Sequence, residues 1–280
     1  MAGADLLLGI DIGTTGTKAA LYDRAGRLQG LGQAEYPTRH LRPGWVEQAP
    51  EDWWQAACAA IRQALAAVPD AAGRVAGLAS AQAPTLLPLD RAGRPVRPAL
   101  IWMDRRADAE AKELAVQLGP GRIEQLTGNR PDPFYVAPKL LWFRRHEPDA
   151  FAATAVFVQI NGYIAYRLSG TLSLDPAHAG LLQVRDRRTG EWSAELCAAC
   201  GVTPNSFLPI RAGHEIIGTV TTAAAEATGL AAGTPVMAGT VDGAAAAVEA
   251  GAVEPGIAAE MTGTSTVLLM PHDGRVLEPA

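Results

Sequence analysis

The sequence predicts an α/β domain, a mixed sheet flanked by helices, followed by the start of a second, similar domain. Three observations lead there. Strand-like segments "LLLGID", "TKAALYD" and "RLQGLGQAEYP" come before the first helix, joined by a glycine-rich bend and the turn "RAG". From Ile216 onward strands and helices alternate, as "IIGTV", "TTAAAEATGL", "TPVMAGT" and "GAAAAVEAG". Finally, "AAEMTGTSTVLLMPHDGRVLEP" repeats the layout of "LGIDIGTTGTKAALYDRAGRLQG", with Gly263, Thr264 and Ser265 standing where Gly13, Thr14 and Thr15 stand in the first copy.

The elements follow in order. The bend between the first two strands is a hairpin tip. Pro50 suits a first helical position, and Trp54, Cys58, Ile61, Leu65 and Val68 recur at three- and four-residue spacings. That spacing predicts an amphipathic helix. A buried strand "RVAGLASA" comes next, then "TLLPLDRAGRPVRPALIW" as a hairpin, then a helix over "DRRADAEAKELAVQL" with Asp104 near its start. Between Gly119 and Gly213, helical pieces "PKLLWFRRH" and "INGYIAYRLSG" alternate with loops rich in Pro, Gly and Asp. Asp242 opens the last, Ala-rich helix and suits an N-cap.

Composition narrows the function. A chain of 280 residues with 48% hydrophobic side chains can bury a sizeable core. A net charge of −5 and the lack of any Lys/Arg-rich run argue against nucleic acid as a partner. No apolar stretch approaches the roughly 20 residues of a membrane span, and "MAGADLLLGID" has no basic n-region, so the expected location is the cytoplasm. Three cysteines fit a reduced compartment. Cys197 and Cys200 form a C-x-x-C that suits redox chemistry or half a zinc site, but no second pair accompanies it, and helix packing is the simpler reading.

The opening stretch "GIDIGTTGTKAALYD" raises the question of a phosphate site. The Walker pattern is absent, because the position five after Gly13 is Lys18. The dinucleotide fingerprint fails too, since a strand-like run follows Thr17 where that fold needs a helix. Taken alone, the stretch is a hairpin with a Gly-Thr tip.

Read together, "GIDIGTTGTKAALYD", "GWVEQAPEDWW", "ALIWMDRRA", "PKLLWFRRH", "GTPVMAGTVDGAAAAVEAG" and "MTGTSTVLL" resemble, in order, the N-terminal part of the FGGY carbohydrate kinases. The resemblance implies an actin-like, ribonuclease-H-like fold of two related domains. It also implies ATP and Mg²⁺ in the cleft between them and a sugar or polyol whose hydroxyl is phosphorylated. Residues 1–250 then form the sugar- and phosphate-binding domain. Residues 251–280 form the first hairpin of the second, nucleotide-binding domain. A homodimer is a possible assembly.

The resemblance also assigns roles. Gly13 and Gly16 let backbone N–H groups approach phosphate oxygens, Thr14, Thr15 and Thr17 add hydroxyls, and Lys18 adds a positive charge. Gly263 and Thr264 supply the equivalent contacts from the second hairpin. Asp11 resembles the carboxylate that holds Mg²⁺ through water, and Asp242 resembles the general base, a role compatible with capping. Gln82, Ala83, Pro84, Trp102, Asp104 and Phe134 fall on acceptor positions, although Trp102 and Phe134 also suit core packing. Ala83 and Pro84 replace polar pairs of the xylulokinases and glycerol kinases, and Gly243 replaces an amide, which argues against xylulose and glycerol as preferred acceptors. Asn161 stands where the family has Asp, and Val136 where its signature has Ser, Thr or Pro. A competing expectation is a kinase-like module that binds a sugar or partner without turnover. An actin-like chaperone ATPase would share the hairpin but not "IWMDRR" or "PKLLWFRRH". The 280-residue chain alone is expected to turn ATP over poorly.

Overall fold

The structure, a computed structural model, describes residues 5–81, 84–119, 121–262 and 266–272. Strand β1 (Leu6–Ile12) alternates strictly: Leu6, Leu8, Ile10 and Ile12 are buried, and Leu7, Gly9 and Asp11 face out, the period-2 pattern of a one-sided strand. It pairs antiparallel with β2 (Gly16–Asp23), which pairs with β3 (Leu28–Glu35). The turn between β2 and β3 is chemical: the Asp23 carboxylate accepts N–H bonds from Ala25 at 2.8 Å and Arg27 at 3.0 Å, and Gly26 takes φ +74°. The same five residues, Asp-Arg-Ala-Gly-Arg, recur at 90–94 and make the same turn, with Asp90 accepting from Ala92 and Arg94.

Strands β4 (Arg39–Arg42) and β5 (Trp45–Gln48) lead into helix α1 (Pro50–Ala66), with Pro50 in its first turn as expected. Helix α1 lies directly on β3. A Cβ on Gly32 would stand 2.0 Å from the Ala60 carbonyl oxygen, and one on Gly30 2.4 Å from that of Ala64. The glycines of "LQGLGQ" are therefore there for close helix–strand approach. Strand β6 (Val75–Ala81) runs parallel to β1 on its other side.

The expected hairpin over 85–102 forms only in part. Its turn closes and Leu86 bridges Leu100, but β7 (Leu87–Leu89) pairs with β9 (Val156–Val158), and β8 (Ala99–Leu100) pairs with β5. Helix α2 (Asp108–Leu118) starts later than expected, so Asp104 precedes it. Helices α3 (Arg122–Thr127), α4 (Val136–His146), α5 (Pro148–Ala153), α6 (Ile160–Ser169), α7 (Pro176–Leu181) and α8 (Ala194–Cys200) fill the middle. Cys197 and Cys200 are buried on α8, in agreement with helix packing. Strand β10 (Ile216–Thr219), helix α9 (Thr222–Thr228), strand β11 (Pro235–Met237) and helix α10 (Asp242–Glu249) follow in the expected order.

The main sheet has the order β10-β11-β6-β1-β2-β3, with β1, β6 and β11 parallel and the remaining pairs antiparallel, so it is mixed. The last strands, β12 (Ala259–Thr262) and β13 (Thr266–Leu269), form a separate antiparallel hairpin. It packs on α10 around a second small core of Ala247, Ala252 and Ala259, with Leu269 against it. Among the described residues no helix is long and apolar enough to cross a membrane.

Candidate active site

Three candidate segments leave the carboxyl ends of adjacent parallel strands. Asp11 and Ile12 end β1, where Asp11 is in register with Ala81 at the end of β6; Gln82 to Pro84 follow β6, and Gly239 to Asp242 follow β11. Ligands of open α/β sheets bind at this edge. Gln82 and Ala83, like Gly263 and Thr264, lie outside the described residues.

The hairpin tip is tight. The Gly13 N–H donates to the Gly16 carbonyl at 2.9 Å, so that amide serves the turn and not a phosphate. Neither glycine has positive φ. A Cβ on Gly16 would meet the Ala34 carbonyl oxygen at 2.7 Å, so close packing of β3 by itself requires glycine there. Thr17 is also corrected: β2 alternation turns it into the core, 1% exposed, so its hydroxyl does not face a ligand. Thr15 and Lys18 face solvent, and Thr14 is half-buried.

A buried polar chain that sequence reading missed holds the tip. Gln48 donates through Nε2 to the Thr14 carbonyl and to Thr38 Oγ1, each at 2.7 Å, and its Oε1 accepts from Trp53 Nε1 at 2.8 Å. Tyr36 donates its phenol to the Gly13 carbonyl. Burial pushes that phenol above its ordinary pKa, keeping it a donor.

Lys18 stands opposite Asp11 in the strand register. The Asp11 carboxyl is raised above the usual carboxylate range, first by desolvation and second by the charge of Asp242; Lys18 pulls the other way. Two carboxylates from distant parts of the chain thus sense each other. Asp242 is exposed in the first turn of α10, where the helix dipole favours an anion. Contrary to expectation it is not the N-cap; Val241 is, and Asp242 Oδ1 accepts from the Gly243 N–H at 2.8 Å. Gly239, at φ +78°, turns the chain from β11 toward Asp242, its N–H bonded to the Gly213 carbonyl at 3.0 Å. Asn161, on α6, donates to the neighbouring Ala238 carbonyl at 3.3 Å and to the buried Asp175 carboxylate at 3.1 Å. Gly243 faces the second hairpin, its Cβ position 3.4 Å from Leu269 Cδ1.

Trp102 and Phe134 are half-buried, with ring centroids 6.5 Å apart at 62°. The Trp102 indole N–H donates to Thr14 Oγ1 at 3.1 Å, which joins the expected acceptor wall to the hairpin tip. Pro84 is buried, and Gln159 clamps the next residue on both sides, accepting from the Thr85 N–H at 2.7 Å and donating to its carbonyl at 2.5 Å. Asp104 does not line this surface. It is 0% exposed and accepts from the Val46 N–H at 2.6 Å and from the Arg106 guanidinium at 2.9 Å. That guanidinium lies over the Trp45 ring at 4.0 Å and the Trp142 ring at 4.9 Å and pairs with Glu47 at 2.9 Å. The acceptor expectation for Asp104 is therefore replaced by a structural one: "GWVEQ", "IWMDRR" and "PKLLWF" meet in one knot beneath the wall.

Residues 6–249 match the model of the N-terminal domain of the FGGY family of carbohydrate kinases. The chain belongs to that family. It is 32% identical over 274 residues to the xylulose kinase of Escherichia coli (strain K12), a match covering 98% of this chain and 56% of that protein. It is 31% identical over 218 residues to the glycerol kinase of Nocardia farcinica, covering 76% and 44%. The crystal structure of xylulose kinase from Rhodospirillum rubrum superposes with a TM-score of 0.91 at 30% identity, covering 95% of this chain and 55% of that one. This FGGY chain thus spans about half the length of the curated relatives it matches.

Proposed function

We propose that the whole protein is an ATP-dependent kinase for a hydroxyl of a sugar or polyol. The observation that carries this reading is the convergence of Asp11, Lys18 and Asp242 at one edge of the sheet, beside an aromatic wall tied to the hairpin tip. The donor set suits Mg²⁺ held through water and phosphate oxygens: Asp11 and Asp242 supply single carboxylates, and the described residues contain no cluster of three or more His, Cys, Asp or Glu able to cage an ion. Mutual repulsion of the two carboxylates is what a cation there would relieve. Bound at this edge, Mg-ATP supplies the transferable phosphoryl group and the charge that neutralises it.

The chain's own residues have four tasks. Trp102 and Phe134 bind the apolar C–H face of the acceptor and fix its orientation. Asp242 takes the proton of the acceptor hydroxyl as it attacks. Thr14 and Thr15 hold the phosphate at the tip with hydroxyl donors, and Lys18 adds a compact positive charge. Residues 1–250 form the acceptor- and phosphate-holding domain, and residues 251–280 begin the nucleotide domain. The separate β12–β13 sheet supports that boundary.

A coupled ADP-release assay of the whole protein over ketoses, aldoses and polyols, D-xylulose and glycerol included, tests the reading. Acceptor-dependent ADP release is expected, and its absence across the panel would overturn it. Asp242→Asn is expected to leave acceptor binding intact and to lower turnover at least about a hundredfold, the scale of a lost general base. Near-normal turnover in that variant removes Asp242 from the role.

A further inference from the structure

We propose that Lys139 is a positioning residue that braces the acceptor wall. This rests on the kinase reading only for its functional consequence. Lys139 sits on α4 and is 0% exposed, and its Nζ donates to the Ile101 carbonyl at 2.7 Å and to the Phe134 carbonyl at 3.2 Å. These carbonyls belong to two separate segments, one leading directly into Trp102 and the other carrying Phe134 itself. One buried ammonium therefore ties together the backbones beneath both rings.

Burying an amine in this way is costly, and a methionine would fill similar space without the cost. Burial lowers the Lys139 pKa to about 7, with Arg105 and Arg106 acting in the same direction and Asp104 and Asp132 opposing them. The gain that offsets this cost is specific. The Ile101 carbonyl also accepts from the Asp104 N–H at 3.0 Å, so what the Lys139 donor adds is a bond to the Phe134 carbonyl, beside a half-buried ring where an unmet acceptor is unfavourable, and a tie between the two segments. The rings themselves make an edge contact that only a fixed spacing keeps, and Trp102 passes that placement to the hairpin tip through Thr14.

The test combines exchange and kinetics on the whole protein. In Lys139→Met, amide hydrogen exchange is expected to quicken together in the segments 101–104 and 132–135 and to stay unchanged in β1 and β2; this readout does not depend on the kinase reading. With the acceptor turned over fastest in the ketose, aldose and polyol panel as probe, the acceptor KM is expected to rise about tenfold and the ATP KM by no more than about twofold, the pattern of a misplaced wall. In a Trp102→Ala/Phe134→Ala background, Lys139→Met is expected to add little further to the acceptor KM, since its effect passes through those rings. Unchanged exchange, equal rises in both KM values, or an additive cycle overturns the proposal. If the wild-type protein transfers phosphate to no acceptor while exchange responds as expected, the kinase reading falls and the brace stands. Should Lys139→Met fail to fold, Lys139→Leu, which likewise removes the donor, is read in the same way. Unfolding of both variants overturns the proposal in favour of a general structural role.

Discussion

Gln48 is a residue whose importance only contacts reveal. Fully buried, it spends both ends of its amide on the Thr14 carbonyl, Thr38 Oγ1 and the Trp53 indole. Replacing it with leucine removes the amide and leaves buried partners unmet, at a cost of about 2 kcal/mol. Gln48→Leu is therefore expected to lower stability by that order in urea unfolding, and, on the proposed reading of the tip as the phosphate side, to raise the ATP KM more than the acceptor KM. Asp104 makes the opposite point. Its type and spacing suited a ligand contact, yet Val46 and Arg106 take up its carboxylate. Sequence position could suggest the neighbourhood but not where the carboxylate turns.

The contact of α1 with β3 was half legible. The spacing of Trp54, Cys58 and Ile61 marked the buried face of the helix, and all three are buried. The two glycines of β3 gave no periodic signal, because what they supply is the absence of a side chain under the Ala60 and Ala64 carbonyls. Gly32→Ala is accordingly expected to destabilise the fold by about 3 kcal/mol through overpacking. An equilibrium denaturation curve checks this, and a change within experimental error would show that α1 can slide off β3 at little cost. The turns at 23–27 and 90–94 are the fully legible case: identical residues make identical turns in unrelated surroundings, since every bond is local. The strands flanking the second turn went to different sheets, because pairing is decided by long-range partners.

On the scale of the molecule, the site is an encounter between the end of β1 and the start of α10. The raised Asp11 carboxyl records it. A carboxyl raised in the folded state favours the protonated native form, so its stabilising contribution is present below the ordinary carboxylate pKa of about 4 and is lost as pH rises through the raised value. Asp11→Asn removes the charge that opposes folding at neutral pH. Its Tm is expected to exceed that of the wild type at pH 7, with the gap closing as pH falls below about 4. An equal gap at both pH values would mean that the Asp11 carboxyl is not raised in the native state.

By itself the sequence determined the local and the periodic: the strand β1, the amphipathic α1, the two Asp-Arg-Ala-Gly-Arg turns, the strand and helix order from Ile216, and the family through motifs in a set order. These depend on residues close together in the chain, or on a pattern repeated along it. Only the tertiary structure decided which hydroxyl of "GTTGT" turns inward, that Gly16 makes room for β3, that Asp104 belongs to a buried knot, and that Gln48, Gln159 and Lys139 hold the walls of the site. Each of those depends on a partner in another segment of the chain, and a side chain's orientation is set by whichever group satisfies it there.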